Sequence, residues 1–76
     1  MNAELDIVVL VRALPEQGLC AGDVGAVVHR YAGGEAFEVE FVTGEGATVA
    51  VATLEARDLR PVASTEILHT RALDAV

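Results

Sequence analysis

The sequence predicts an all-β fold: a small five-stranded barrel with a 3-10 turn before its last strand and a C-terminal tail that is helical or flexible. Three observations predict it. Valine supplies 12 of the 76 residues and recurs in short runs, the texture of strands and not the 3.6-residue rhythm of helices. Glycine clusters punctuate those runs at Gly18 to Gly22, Gly33-Gly34 and Gly44 to Gly46, where the chain must turn. Phe37, Val39 and Phe41 alternate with Glu38 and Glu40, the period-two signature of a strand with one buried face.

The first strand runs from Asp6 to Arg12, with Leu5, Ile7, Val9 and Val11 on one face and Asp6, Val8, Leu10 and Arg12 on the other. Both faces are partly apolar. Ala13 to Asp23 is a loop, because Pro15 lacks the ladder N–H and Gly18 and Gly22 suit turns. It is too long for a tight hairpin. The second strand, Val24 to Tyr31, cannot place Val24, Val27 and Val28 on one face without a phase shift, and a bulge at Gly25 supplies one. Ala32 to Glu35 is a hairpin turn into the third strand, Phe37 to Phe41.

Thr43 to Gly46 turns the chain into the fourth strand, Ala47 to Thr53. Val49 and Val51 take one side and Thr48, Ala50 and Ala52 the other, where small alanines let another surface approach closely. Leu54 and Leu59 bracket a polar stretch about one turn long, which suits a 3-10 turn, and Pro61 limits the last strand to a short one at an edge. Closing these five strands limits the exposed edges of so small a sheet.

Residues 1–62 are therefore the barrel and 63–76 a tail. In the tail, Ser64 is placed to cap a helix starting at Thr65, with Leu68, Ala72 and Val76 on one stripe and Leu73 beside it. A helix this short is marginal alone. The tail is frayed, or docks on its own barrel, a second copy or another protein.

Composition narrows the function. At 53% hydrophobic and 22% charged the chain lies far from disordered sequences, and its length allows one domain. Twelve acidic side chains face five basic ones, all arginine, for a net charge of −7 and a pI near 4.5. That charge repels phosphate backbones and anionic lipid, so the expected partner is another protein with a basic surface, neither nucleic acid nor membrane. No apolar run approaches the roughly 18 residues of a membrane span and no leader-like pattern opens the chain. A cytoplasmic protein is expected. The single cysteine, Cys20, allows neither an internal disulfide nor a multi-cysteine zinc site.

No residue pattern points to catalysis or to a cofactor. Gly22-Asp23-Val24-Gly25 leads into a valine-rich strand and not a helix, so it is a turn, with Asp23 bonding local amides, and not a phosphate cradle. Cys20 has no base beside it. His29 and His69 lack metal-ligand spacing. Glu38 and Glu40 sit about 7 Å apart on one outer face, without the apolar surroundings that split the pKa values of a catalytic pair. With Glu35 and Glu45 they are expected to form an acidic patch at one end of the hairpin.

Gly18-Leu19-Cys20-Ala21-Gly22-Asp23-Val24-Gly25-Ala26-Val27-Val28, Glu38-Val39-Glu40-Phe41 and Asp58-Leu59-Arg60-Pro61-Val62 together resemble a family of short bacterial proteins known as domain of unknown function 4926. The resemblance spans Leu5 to Val62. It implies an SH3-like barrel, in agreement with the strand count, and brings no catalytic residues. Genes of this family lie among mobile elements and near toxin-like genes, which implies an antitoxin or immunity role. With Tyr31, Phe37 and Phe41 as its only aromatics, the chain lacks the aromatic groove with which SH3 domains grip polyproline.

The expectation is a non-catalytic protein-interaction module. It uses either the acidic face of Glu38 and Glu40 or the tail around Leu68 and Leu73. The alternative is a structural homo-oligomer joined through the tail or an edge strand.

Overall fold

Ala36–Val42, the third strand (β3), shows the alternation of its sequence: Phe37, Val39 and Phe41 are buried, and Glu38 and Glu40 lie on the other face. Around it a computed structural model, which describes residues 6–73, places β1 (Ile7–Leu10), β2 (Val24–Arg30), β4 (Thr48–Glu55) and β5 (Leu59–Pro61). The five form one antiparallel sheet in the order β4-β3-β2-β1-β5. Two 3-10 turns, Pro15–Gln17 and Ala56–Asp58, complete the regular structure among the described residues.

The connection between β4 and β5 dictates the sheet's shape. These strands are its two edges, yet only Ala56–Asp58 separates them. Four residue steps reach about 14 Å, whereas the edges of a flat five-stranded sheet lie about 19 Å apart. The sheet must curl, and its concave side encloses one core built from Val8, Leu10, Val27, Phe37, Val39, Phe41, Ala52, Leu54 and Leu59. The curl stops short of closure, because β4 and β5 do not pair with each other. With three residues, the last a proline, β5 has little ladder to offer.

Several expectations are corrected. β1 is shorter than expected, and the face that enters the core is that of Val8 and Leu10, leaving Ile7 and Val11 exposed; Leu5 lies outside the described residues. The bulge in β2 falls between Val27 and His29, not at Gly25. Gly25 answers a different need, since a Cβ there would sit 2.7 Å from Val39 Cγ1, 2.8 Å from Phe41 Cε2 and 3.0 Å from the Glu40 carbonyl oxygen. Pairing with Phe41 and Val39 puts Ala50 and Ala52 on the core side, with Val51 and Thr53 outside, and a second register shift, between Phe41 and Val42, brings Thr48 to the outer side as well. The alanines face the protein's own core and not a partner.

The loop before β2 is more ordered than its glycines suggest. Leu14 and Leu19 exchange backbone hydrogen bonds of 2.9 and 3.1 Å around the first 3-10 turn, with Pro15 at its first position and Gly18 left-handed at φ 74° at its end. This drives Leu19 into the core.

No helix forms between Thr65 and Leu73; Val76, the last member of the expected stripe, lies outside the described residues. A turn at Ser64-Thr65 is closed by the Glu66 N–H donating to the Ala63 carbonyl at 3.0 Å. Residues 66–73 then run without regular structure, held to the domain by arginine–carboxylate pairs.

Candidate functional site

Two surfaces carry the side chains singled out by the sequence. The first is the convex face of the sheet. Cross-strand register aligns Val51, Glu40, Ala26 and Ile7 in one row and Thr53, Glu38 and His29 in the next, and residues directly opposite share a face. Both carboxylates are oriented by hydroxyl donors from β4: Thr53 Oγ1 donates to Glu38 Oε1, and Thr48 Oγ1 to Glu40 Oε2 at 2.6 Å. Around them Ile7, Val42 and Val51 are each about half exposed. The face is mixed, with two fixed anionic groups in an apolar setting.

Glu35 and Glu45 do not join Glu38 and Glu40 in one patch. Glu35 precedes β3 and Glu45 follows it, so a strand length of about 20 Å separates them. His29 packs edge-on against Tyr31, with ring centroids 4.7 Å apart, at one end of β2. The exposed Cys20 sits in the turn before its other end.

The second surface is a groove of about 730 Å³ between the tail and the domain. Leu19, Val24, Phe41 and Val49 contribute its apolar wall, and Leu68 and Leu73 line it from the tail. One residue that sequence reasoning passes over fixes this arrangement. Arg71 Nε donates to Asp23 Oδ1 at 2.8 Å, and its Nη2 donates to Asp23 Oδ2 at 2.7 Å and to the Gly18 carbonyl at 2.9 Å. The Cys20 N–H also donates to Asp23 Oδ2, at 2.8 Å, which is the local turn bond expected of this aspartate. The Arg71 guanidinium, more than any other neighbour, holds the Asp23 carboxyl below the usual aspartate range.

Nearer β5, Arg60 grips Glu66 through both of its terminal nitrogens, at 2.7 and 2.9 Å, while Glu66 accepts the Ala63 N–H at 2.7 Å. The tail is thus pinned twice, by arginines pairing with carboxylates across 6 and 48 residues. A third pair, Arg12 Nε to Asp58 Oδ1 at 2.8 Å, lies in a shallow polar depression at the β4–β5 corner with Glu55 and Arg57. Only the short local spacing of Arg60 and Glu66 offers a sequence signal; the other pairs join distant segments.

Among the described residues no group of three or more His, Cys, Asp and Glu side chains gathers as a metal site requires. No helix there is long and apolar enough to cross a membrane.

Comparison with known proteins bears on the domain and not on the tail. No curated protein and no solved structure matches the chain. A family model matches residues 4–61, which takes in all five strands, the Asp23 turn and the apolar wall of the groove, and stops at the end of β5. With that match across most of its length, the chain belongs to the family described as Domain of unknown function (DUF4926).

Proposed function

We propose that this protein is a non-catalytic, cytoplasmic protein-binding module that takes a basic partner on the convex face of its sheet. One observation carries the reading: Glu38 and Glu40 are held side by side by the Thr53 and Thr48 hydroxyls among the exposed side chains of Ile7, Val42 and Val51. Pre-oriented carboxylates lose little freedom when they meet arginine or lysine, and the apolar side chains around them supply area that excludes water on contact. The net charge of −7 steers a basic protein toward any such face. A partner of this kind is a toxin whose basic active site or surface the acidic face covers, an antitoxin or immunity role. The separation of Cys20 from His29 by most of β2, about 16 Å, supports a binding role over nucleophilic chemistry.

The test is affinity capture from the host's extract with the full chain and with the full-length E38Q/E40Q double variant. A stoichiometric protein retained by the first, eluted by salt and lost with the second is the expected result. Equal retention by both removes the acidic face from the interface.

A second reading, self-assembly, draws on β4, an eight-residue edge strand with neither lysine nor proline to discourage pairing. Sedimentation that stays monomeric at all concentrations excludes it.

A further inference from the structure

The groove under the tail has a different chemistry from the convex face. Its wall belongs to the family domain, whereas the segment lying across it, residues 68–73, comes after the matched region. We propose that this groove is a peptide-binding site that the protein keeps occupied with its own tail, and that it exchanges residues 68–73 for an extended segment of another protein carrying an arginine between apolar residues.

The tail itself shows what the groove accepts. Three acceptor oxygens, two from Asp23 and one from Gly18, converge on a single guanidinium, a fork-shaped arrangement that suits arginine and not lysine. On either side of that anchor Leu68 and Leu73 face the apolar wall of Leu19, Val24, Phe41 and Val49. The segment lies along the groove without regular structure.

The occupancy is also incomplete. Leu68 remains 63% exposed and Leu73 48%, so the two leucines leave about half or more of their surface open, and Arg71 supplies the segment's polar anchor. A segment with the same arginine and a closer apolar fit displaces it. Because the domain's surface is acidic overall, an incoming arginine-bearing segment is attracted and a second copy of this −7 chain is repelled. Charge complementarity thus favours a foreign, arginine-bearing segment as the occupant, and exchange of tails between copies is the outcome the test must separate from it. The internal tail lowers the apparent affinity for that occupant by the fraction of time the groove is closed.

The test uses a fluorescein-labelled synthetic peptide with the sequence of residues 66–73 and full-length proteins, read by fluorescence anisotropy. Arg71→Gln frees the groove and is expected to bind the peptide about tenfold or more tighter than the unmodified chain. Asp23→Asn abolishes binding in the Arg71→Gln background, and a peptide with glutamine in place of its arginine fails with every protein. The E38Q/E40Q variant behaves as the unmodified chain here, which separates this site from the convex face. Arg71→Lys, which retains charge without the fork, gives an intermediate gain and serves as the check if Asp23→Asn disturbs the turn. Equal binding by the unmodified and Arg71→Gln proteins overturns the proposal, as does equal binding of the arginine and glutamine peptides. A dimer of the unmodified chain that dissociates on Arg71→Gln also overturns it, since the groove would then exchange tails between copies.

Discussion

Asp58 and Asp23 sit at the same end of β1 and are built alike, yet they secure different things. The Asp58 carbonyl accepts the Val11 N–H and the Asp23 carbonyl accepts the Leu10 N–H, both at 2.9 Å. Each carboxylate takes an arginine Nε at 2.8 Å and one backbone amide, from Glu55 in the first case and Cys20 in the second. Asp58 is buried and ties Arg12, just past β1, to the turn that bends β4 into β5. Asp23 is less enclosed and ties a surface turn to the tail. The same pair of residue types therefore serves the fold in one place and an accessory segment in the other, and the difference lies in what the arginine is attached to.

If that division is right, the fold must depend on the core first, on the Asp58 corner second and on the Asp23 clamp least. The largest effect belongs to Phe41, 3% exposed and packed in the common core. Phe41→Ala should lower stability by about 3–5 kcal/mol through lost burial and the cavity left behind, measured by denaturant unfolding. An unchanged midpoint would mean that β3 turns its other face inward.

Gly25 comes next. A methyl group there meets Val39 and Phe41 side chains at under 3 Å and the Glu40 backbone oxygen at 3.0 Å. The strand-paired backbone cannot yield as a side-chain tip can, so Gly25→Ala should cost about 1–3 kcal/mol. Asp58→Ala removes the arginine bond and the Glu55 amide bond together, and about 2 kcal/mol is expected. Thermal unfolding of Asp58→Ala beside Asp23→Ala tests the comparison directly, because equal losses would show that the two clamps do the same work.

These contacts also show how much is legible in the sequence. β3 is readable because alternation and flanking glycines agree, and the Ala56–Asp58 turn because Leu54 and Leu59 bracket it. Gly25 stands out in the sequence, but not for the reason that requires it: the sequence marks an absent side chain, and only the fold shows Val39 and Phe41 filling its place. Leu19 looks like a loop residue until the Leu14–Leu19 bridge folds it inward. On the convex face, Glu38 and Glu40 are legible as outward neighbours, but the hydroxyls that hold them come from another strand. The tail misleads because Leu68 and Ala72 have helical spacing, whereas an ion pair across 48 residues holds Arg71 to Asp23 instead. No periodicity encodes such a pair.

The smallest expected effect is the most informative about the tail. Arg71→Gln removes a partly exposed ion pair, so global stability should fall by about 1 kcal/mol or less, while the amide signals of residues 68–73 shift toward those of a free peptide. The pH dependence has a definite sign. Arg71 depresses the Asp23 pKa, so the clamp's contribution is complete above the ordinary aspartate value of about 3.9 and is lost as pH falls through the lower folded value. Replacing Arg71 removes the main cause of that depression, and the acid midpoint followed at the Cys20 amide, which bonds the same carboxylate, should move upward. A midpoint that stays where it was would assign the depression to the turn's own amide and leave the tail without its anchor. A rise in midpoint with the fold intact would establish that the domain stands without the Arg71 clamp and that Arg71 is what holds the Asp23 carboxyl below its ordinary range.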